Sequence, residues 1–437
     1  MKILFIHQSF PGQFKNIVRY LAANADNDVR FISRPNANGI PSVRRYTYEP
    51  ARESAKQTHH YVRDLERGVL NGQAVALKIR ELLASGFHPD VVVGHSGWGE
   101  TLFIKDVLPS TPLLSYFEFF YKAFGADTNF DPEYPLGLDD SFRIRIKNAV
   151  NHTGMDAADW GLTPTNWQRS LYPAWAQKRM TVLHEGIDTN VIVPNPNACF
   201  RLPNGVGLSP GAKVVTYVAR NLEPYRGIHT FVRSIPGILE RQRDAVIVVV
   251  GGNSVSYGRT AQGDESHLSR LMKEVGADWS RVWFLGQIPY QDYLSLLQVS
   301  AAHVYLTYPF VLSWSMLEAM AAGCLVIGSS TPPVEEVIRD GHNGLLVDFF
   351  GADDLARAVH WALDHPSESA RIRQRARQHV ETRYDFARCI RPQFEALLTR
   401  LAKPVPPAVR SRSRARLNGR SQEAGGNAAA RVWHAVH

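Results

Sequence analysis

Apolar residues along this chain fall into short continuous runs that alternate with stretches of helical spacing. In the first half, KILFIH, DVRFIS, DVVVGH and TPLLSYFEF predict strands, while FKNIVRYLAANA and GQAVALKIRELLASG predict helices because their apolar residues recur every three or four positions. The alternation starts again at KVVTYVA, residues 213–219, and continues through AVIVVVGG, RVWFLG, HVYLTY, CLVIGSS and LLVDF. Strands that alternate with helices predict an α/β protein with parallel sheets covered on both faces.

The chain of 437 residues is long enough for two such units. The Pro- and Asn-rich stretch VPNPNACFRLPNG separates them. We therefore expect one doubly wound, Rossmann-like domain over residues 1–195 and a second over residues 196–403, closed by C-terminal helices. Ligands of open parallel sheets bind beyond the carboxyl ends of the strands. Two such domains facing each other predict a cleft, and the residues that follow strands are the candidates for function.

Residues 404–437 differ from the rest in composition and charge. They lack apolar periodicity, are rich in Pro, Ser, Gly and Arg, and contain six arginines against Glu423. This composition predicts a disordered, solvated tail, with peripheral contact at an anionic membrane surface as the alternative. Because the tail holds +5 of the net charge of +8, residues 1–403 retain only +3. A nucleic acid is therefore not expected as a partner.

Cysteine usage and hydropathy bear on the compartment. Cys199, Cys324 and Cys389 are far apart and have no CxxC spacing, which indicates a reducing compartment rather than disulfides or a zinc site. The N-terminal MKILFIHQSF has too short an apolar run for a signal peptide, and no apolar stretch reaches the roughly 18 residues of a membrane span. We therefore expect a cytoplasmic protein, with association at the inner membrane face if the tail binds lipid.

The stretch YPFVLSWSMLEAMAAG, residues 308–323, follows a strand and predicts a loop and then a helix that begins near Ser313. The amides of Trp314, Ser315 and the methionine after them would be free at the helix start and would suit a phosphate. Glu318 has two interpretations. It forms a capping box with Ser315, or it lies in a buried, apolar setting where a carboxylate needs hydroxyl or cationic partners.

The stretch YVARNLEPYRG, residues 217–227, places Arg220 directly after a strand and Arg226 six positions later. Two fixed cations at the mouth of a sheet suit a leaving diphosphate, whose negative charge grows as its bond to a sugar breaks. The alternative is a pair of surface arginines that form ion pairs with Glu223.

Two segments of the first half also follow strands. HQSFPGQF places Gly12 where backbone can approach a phosphate or sugar closely. DVVVGHSGWGE places His95 at a strand end, followed by Trp98. The histidine is a candidate contact for a sugar or an acceptor hydroxyl, and the tryptophan for stacking on a sugar face. The alternatives are a structural hydrogen bond for His95 and a core position for Trp98.

These motifs resemble the family 4 glycosyltransferases of the GT-B type, from residue 1 to about residue 400. Arg220 and Arg226 occupy the positions of an Arg-x5-Lys pair that grips the donor diphosphate in that family, with Arg in place of Lys. LEAMAAG matches an element of the family in which a glutamate, here Glu318, holds the donor ribose hydroxyls. The glutamate expected eight positions earlier, which holds donor-sugar hydroxyls, is replaced by Phe310.

The resemblance also assigns roles to the other segments. The Gly12 loop would face the donor phosphates and the acceptor, His95 corresponds to a functional histidine, and the backbone of residues 285–288 would read a uracil or guanine base. Serine side chains or backbone at the start of the helix are the candidates to replace the missing glutamate. The expected catalytic residues are Arg220, Arg226 and His95, and the expected donor-binding residues are Gly12, Leu285, Ile288, Ser313, Trp314, Ser315 and Glu318.

The resemblance implies a retaining, hexosyl-type transfer from a UDP- or GDP-linked sugar to a hydroxyl acceptor. The acceptor would be a saccharide or lipid-linked saccharide in surface polysaccharide or glycoconjugate synthesis, contacted by first-half loops that include QTHHYVRDLERG and FYKAFGADTNFDPEYP. No cofactor beyond the nucleotide sugar is expected, and the absence of metal-ligand spacing predicts metal independence. The alternatives are a nucleotide-sugar epimerase of the same architecture and a non-catalytic sugar-nucleotide-binding protein, which Phe310 favours.

Overall fold

The computed structural model describes residues 1–258 and 265–402. The predicted tail, residues 404–437, lies outside the described residues. Two parallel sheets, of seven and six strands, dominate the described part, so the predicted α/β architecture of two doubly wound units is confirmed.

The first sheet is parallel throughout and has the strand order β3-β2-β1-β4-β5-β6-β7. Its strands are β1 (Lys2–Ile6), β2 (Asp28–Ser33), β3 (Arg44–Thr47), β4 (Val91–His95), β5 (Leu113–Tyr116), β6 (Trp160–Thr163) and β7 (Met180–Val182).

A short antiparallel pair follows: β8 (Phe200–Arg201) lies within the predicted linker and β9 (Gly207–Leu208) directly after it. The second sheet is again parallel, with the order β12-β11-β10-β13-β14-β15. Its strands are β10 (Val214–Asn221), β11 (Val246–Gly252), β12 (Val282–Phe284), β13 (Ala302–Tyr305), β14 (Val326–Ser329) and β15 (Leu345–Val347).

Helices connect the strands and cover both sheets. They are α1 (Lys15–Ala23), α2 (Arg63–Ala84), α3 (Ile104–Val107), α4 (Leu138–Lys147), α5 (Ala149–Ala157), α6 (Asn166–Leu171), α7 (Ala174–Gln177), α8 (Ile228–Arg241), α9 (His267–Val275), α10 (Tyr290–Val299), α11 (Trp314–Ala322), α12 (Pro332–Glu335), α13 (Ala352–Asp364), α14 (Pro366–Arg383) and α15 (Arg391–Ala402).

Strand order reverses once in each sheet, between β1 and β4 in the first and between β10 and β13 in the second. Such a reversal leaves a crevice at the carboxyl ends of the two diverging strands, where ligands of open α/β sheets bind. Both crevices are bordered by segments that were candidates from sequence: Gly12 and His95 in the first sheet, and Arg220 in the second.

The last helix packs on the first sheet, although the sequence assigned it to the second unit, residues 196–403. Phe394 and Leu397 of α15 are buried in one apolar cluster with Phe5 of β1 and Val93 of β4. The physical reason is that the apolar face of α15 packs beside α1 on the apolar face of the first sheet and covers it. The chain therefore returns to its first half at the end of the described part.

Candidate active site

A cavity of about 570 Å³ lies at the carboxyl edge of the second sheet, where β10 and β13 diverge. The ends of β10, β11 and β13 and the starts of α10 and α11 form its walls, and Lys15 of α1 reaches it from the first half. Three of the ten predicted site residues, Gly12, His95 and Leu285, do not line it. The seven that do are Arg220, Arg226, Ile288, Ser313, Trp314, Ser315 and Glu318.

The two arginines reach the cavity in different ways. Arg220 is the second-last residue of β10 and is exposed, whereas Arg226 is buried. Arg226 Nη1 donates hydrogen bonds to Thr307 Oγ1 at 2.8 Å and to the carbonyl of Val311 at 3.1 Å, and its guanidinium lies 5.4 Å from the centre of the Tyr257 ring. A guanidinium stays charged when buried, so Arg226 is a fixed cation in the cavity wall.

Backbone geometry at Gly227 fixes the direction of Arg226. The turn Pro224–Arg226 is a single 3-10 turn, and Gly227 follows it with φ +68° as the N-cap of α8. A Cβ at Gly227 would lie 2.5 Å from the Cβ of Leu306, next to β13. The position therefore favours glycine both for its left-handed backbone and for the close approach to the sheet.

Glu223 does not form the ion pairs with Arg220 and Arg226 that were the alternative interpretation of the sequence. Its buried carboxylate accepts hydrogen bonds from the backbone amides of Ser256, Tyr257 and Gly258, each at 3.0 Å. Three charge-assisted bonds satisfy a carboxylate well, and Arg226 is not at the surface. The alternative of surface ion pairs is therefore wrong for Arg226, and Glu223 instead holds the loop that carries Tyr257.

The start of α11 differs in detail from the prediction. Ser313 is the N-cap, and its Oγ accepts hydrogen bonds from the Ser315 amide at 3.4 Å and the Ser315 hydroxyl at 3.0 Å. The Met316 amide donates to the Ser313 carbonyl at 3.3 Å. Two of the three amides expected to be free are thus used within the helix start, one by the hydroxyl of the N-cap serine and one by its backbone carbonyl.

Glu318 faces the cavity and does not form a capping box with Ser315. Its two carboxylate oxygens accept hydrogen bonds from Tyr290 Oη at 3.0 Å and Tyr293 Oη at 2.8 Å, both on α10. Burial raises the pKa of Glu318, and the two tyrosine hydroxyls oppose that shift. The nitrogen of Lys15 lies 5.1 Å from the centre of the Tyr290 ring. Hydroxyls and a cation thus surround this carboxylate, as its apolar sequence context required.

Gly12 and His95 lie together in the first-half crevice rather than in the cavity. Gly12 has φ +53°, and a Cβ there would lie 2.3 Å from the ring of His7. His95 is buried, its Nδ1 accepts the Gly97 amide at 3.1 Å, and its ring stacks on Trp98 with centroids 4.1 Å apart. His95 and Trp98 are therefore packed against each other in this structure.

Leu285 cannot offer its backbone amide to a base, because that amide donates to the carbonyl of Val249 at 2.9 Å. The bond continues the pairing between β11 and β12. Sequence alone could not show that the amide of Leu285 is used in this pairing. Ile288, three positions later, does line the cavity. Of the predicted base-reading segment, residues 285–288, the second half is the part that reaches the site.

Glu185 joins the two halves beside the cavity. Its Oε2 accepts the indole N–H of Trp314 at 3.0 Å, and its Oε1 accepts the hydroxyl of Tyr116. The sequence analysis did not single out Glu185 as a site residue. It also missed other side chains of the cavity wall, among them Lys15, Tyr290 and Tyr293. The signal available for the tyrosines was their spacing of three positions on a helix, which puts both hydroxyls on one face.

Phe310 is buried in a cluster of aromatic side chains. Its ring centroid lies 4.7 Å from Phe119, 4.9 Å from Tyr257 and 5.4 Å from Tyr225. The loop before α11 therefore presents an apolar ring to aromatic neighbours from both halves of the chain. Aromatic contacts alone satisfy the packing of Phe310, and this packing does not require a carboxylate from another residue.

The segment 119–134, most of which belongs to a loop expected to contact the acceptor, is bonded to the second half. Tyr225 donates its hydroxyl to Asp127 at 2.9 Å, and Tyr308 donates its hydroxyl to Asp131 at 2.5 Å. The physical reason is that its carboxylates find hydroxyl and cationic partners there. Further contacts join His229 Nε2 with Asp131 Oδ2 at 3.1 Å, Arg233 with Glu133 and Arg270 with the hydroxyl of Tyr134.

Two searches of the described residues gave negative results. Within residues 1–258 and 265–402, no group of three or more His, Cys, Asp or Glu side chains is arranged to hold a metal ion. In the same residues, no helix combines the length and hydropathy that a membrane span requires.

Family models match both halves of the chain. Residues 25–192 match the model described as "Glycosyl transferase family 4 group", and residues 202–379 match "Glycosyl transferases group 1". Among curated proteins, a D-inositol 3-phosphate glycosyltransferase of Kribbella flavida is 27% identical over 235 residues, covering 52% of this chain and 53% of that protein. A phosphatidyl-myo-inositol mannosyltransferase of Mycolicibacterium smegmatis is 28% identical over 202 residues, covering 43% and 48%. The chain spans about half the length of the curated relatives it matches.

Solved structures extend the likeness to almost the whole described fold. Sucrose-phosphate synthase from Thermosynechococcus elongatus superposes with a TM-score of 0.68 at 18% identity, covering 92% of this chain and 99% of that one. Anabaena HepE in complex with UDP-glucose gives a TM-score of 0.63 at 17% identity, with coverages of 91% and 100%. These identities show the fold alone. Combined with the two family models, which match most of the described residues, they show that the chain belongs to the family 4 glycosyltransferases of the GT-B type.

Proposed function

We propose that the protein transfers a sugar from a nucleoside-diphosphate sugar to a hydroxyl acceptor. The observation that supports this most is the cavity at the switch point of the second sheet, which brings together two arginines and a hydroxyl-lined carboxylate from separate segments. Diphosphate and ribose carry the complementary groups. The membership of a glycosyltransferase family supports the same reaction class.

The donor diphosphate would bind Arg220 and Arg226. Arginine suits this role because its fork of N–H groups pairs with phosphate oxygens, and a preorganised cation stabilises the negative charge that develops on the leaving group. Lys15 adds a third cation from the first half. We propose that these cations act without a metal ion. Dialysis against EDTA should therefore leave UDP affinity unchanged, and a loss that Mg²⁺ or Mn²⁺ restores would contradict metal independence.

The nucleoside would bind near Glu318 and Ile288. Glu318 accepts hydrogen bonds from two tyrosine hydroxyls in this structure. In this proposal, the ribose hydroxyls donate hydrogen bonds to Glu318, either replacing those of the tyrosines or in addition to them. Anabaena HepE, a neighbour in fold, binds UDP and UDP-glucose, which supports a UDP-linked donor. A GDP-linked donor is the alternative.

The finer features of the reaction follow from the family resemblance. They are a hexosyl donor, retention at the anomeric carbon, and a saccharide or lipid-linked saccharide acceptor in surface polysaccharide or glycoconjugate synthesis. We also propose a cytoplasmic location, with tail residues 404–437 contacting the inner membrane face. Binding to anionic vesicles by the full chain, and its loss in a chain ending at residue 403, would support that contact.

A non-catalytic sugar-nucleotide-binding protein is the second candidate. Phe310 favours it, because an aromatic ring stands where the family resemblance places a carboxylate for the donor sugar, and this ring is packed among aromatic neighbours. Ligand binding without turnover is the expected behaviour of such a protein.

The experiment that tests the proposal incubates the protein with UDP-, GDP- and TDP-linked sugars, with and without saccharide acceptors, and follows the products by mass spectrometry. Transfer, or release of the nucleoside diphosphate from at least one donor, is the expected result. Conversion of a donor to its epimer would contradict transfer. Binding of a donor with no turnover across the panel would select the second candidate.

A further inference from the structure

Glu118 follows β5 and lies among side chains at the carboxyl ends of β1 and β4, at the carboxyl edge of the first sheet. Its Oε1 accepts a hydrogen bond of 2.7 Å from Gln13 Nε2, and Gln13 Oε1 in turn lies 2.5 Å from His7 Nε2. Oε2 of Glu118 faces His95 Nε2 at 3.6 Å. Side chains from two neighbouring strand ends therefore fix the direction of this carboxylate.

The neighbours leave much of the hydrogen-bonding capacity of Glu118 unused. A carboxylate offers about four lone-pair sites, of which Gln13 occupies one, and 3.6 Å is longer than a hydrogen bond. The Glu118 side chain is 25% exposed, whereas that of His95 is 1% exposed and its Nε2 has no hydrogen-bond partner in the described residues. His95 thus lies behind the carboxylate, and Glu118 is the group that a ligand in the crevice reaches.

The charge state of the cluster selects the kind of ligand. Burial raises the pKa of Glu118, but His95, Gln13 and His7 together lower it by more than burial raises it. The net shift of the pKa is therefore downward, and the carboxylate is ionised at neutral pH. Burial and the neighbouring His95 lower the pKa of His7 to about 3, so that ring is neutral. An ionised carboxylate only accepts hydrogen bonds. The ligand must therefore donate, and hydroxyl groups are the donors that a polyol supplies.

Position connects this cluster with the cavity of the second half. Gln13 is two residues before Lys15, which lines that cavity. Phe119, the residue after Glu118, packs against Phe310 of the loop that leads into α11, with ring centroids 4.7 Å apart. Glu118 therefore lies on the first-half side of the crevice, on a segment that is anchored to the second half.

We infer that Glu118 binds a hydroxyl of the acceptor, and that Gln13 and His95 are positioning residues that orient its carboxylate. This rests on the proposed function, because an acceptor has meaning only if a sugar is transferred. The ligand class is a polyol, such as a hexose or an inositol. His95, which is buried, then acts through Glu118 rather than by touching the acceptor.

The test measures nucleotide and polyol binding separately, with the full chain. UDP and GDP affinities are measured by calorimetry. Glucose, mannose, N-acetylglucosamine and myo-inositol are then titrated, with and without nucleotide, by saturation-transfer-difference NMR. The variants are Glu118→Gln, which removes the charge at constant shape, and Glu118→Asp, which keeps the carboxylate. The matched control is Glu81→Gln, since Glu81 is an exposed carboxylate on α2 that pairs with Lys78.

The expected result is that Glu118→Gln weakens polyol binding by about tenfold or more, the usual effect of losing a hydrogen bond to a charged group. Nucleotide affinity stays at the wild-type value, Glu118→Asp retains part of the polyol binding, and Glu81→Gln changes neither. Polyol binding that Glu118→Gln leaves intact, or a wild-type protein that binds none of the four polyols, would overturn the inference. Failure of the wild type to bind nucleotide counts against the proposed function instead, and the titrations without nucleotide still test Glu118.

Discussion

Trp314 donates its indole N–H to Glu185, with Nε1 3.0 Å from Oε2. The tryptophan begins α11 in the second half, and the glutamate precedes the crossover from the first half. Because the other oxygen of Glu185 accepts the hydroxyl of Tyr116 on β5, one carboxylate bonds to both halves beside the donor cavity. Glu185 therefore links the two halves at this point.

Trp314→Phe should lower the free energy of unfolding by about 1–3 kcal/mol, because it leaves a largely buried carboxylate one hydrogen bond short. It should also weaken UDP binding, since Trp314 lines the cavity. Urea unfolding and calorimetry measure the two effects. Trp175→Phe, at an exposed tryptophan of α7, is the control. Equal behaviour of the two variants would show that the bond to Glu185 contributes nothing.

Arg220→Ala should weaken UDP binding by about tenfold to a hundredfold, because a charge-assisted bond to phosphate is lost. Protein stability should be nearly unchanged, since Arg220 is exposed. Arg241→Ala, at an exposed arginine outside the cavity that pairs with Asp364, is the control. UDP affinity that Arg220→Ala leaves intact would remove this residue from the donor site.

Arg226→Lys tests the buried cation separately. Lysine keeps the charge, but its single nitrogen cannot both replace Nη1, which donates to Thr307 and to the carbonyl of Val311, and supply the other N–H groups of the guanidinium to phosphate oxygens. UDP affinity should fall and the midpoint of thermal unfolding should drop. A variant with wild-type affinity and midpoint would mean that the guanidinium geometry is irrelevant.

Phe310→Glu should destabilise the fold and should not raise donor turnover above that of the wild type. The side chain is 6% exposed and packs on Phe119, Tyr225 and Tyr257, so a carboxylate there would be buried without a partner. Phe310→Leu, which keeps the site apolar, is the control and should lose less. Thermal unfolding ranks the two variants. A Phe310→Glu protein as stable as the wild type, with new donor turnover, would contradict the role assigned to this packing.

Stability should fall in acid partly because of His7. The ring is neutral in the folded protein, with its pKa lowered from 6.5 to about 3, and it takes up a proton on unfolding below pH 6.5. Stability from this group is complete above pH 6.5 and is lost as the pH falls towards 3, which amounts to about 2 kcal/mol between pH 7 and pH 5. His7→Asn should lose correspondingly less over that interval in urea unfolding. An identical loss in both proteins would contradict the buried, neutral state.

Sequence patterns predicted the sheets well where strands are apolar and continuous. The eight-residue β10 and seven-residue β11 are examples. Helix α11 was predicted equally well, because a helix that is apolar on most of its faces must lie in the core. They did not predict β3, whose residues RRYT are charged at the edge of its sheet, or the three-residue β7. Helix α2 begins at Arg63, nine residues before the predicted start, because its first turns are polar.

The candidate site divides along similar lines. Residues in one continuous motif, such as Arg220 with Arg226 or Ser313 with Glu318, were identified because their spacing is visible in the chain. Glu185 and Glu118 were not, because each acts through partners more than a hundred residues away, Trp314 and Gln13 respectively. The docking of segment 119–134 on the second half was missed for the same reason. Its acids look solvated in sequence and find their partners only in the folded chain.

The crystal structure of the protein with UDP tests the central claim most directly. The account predicts that the pyrophosphate lies between the guanidinium groups of Arg220 and Arg226, near the start of α11, with the ribose hydroxyls bonded to Glu318. A pyrophosphate bound away from both arginines, or ribose hydroxyls without contact to Glu318, would contradict it.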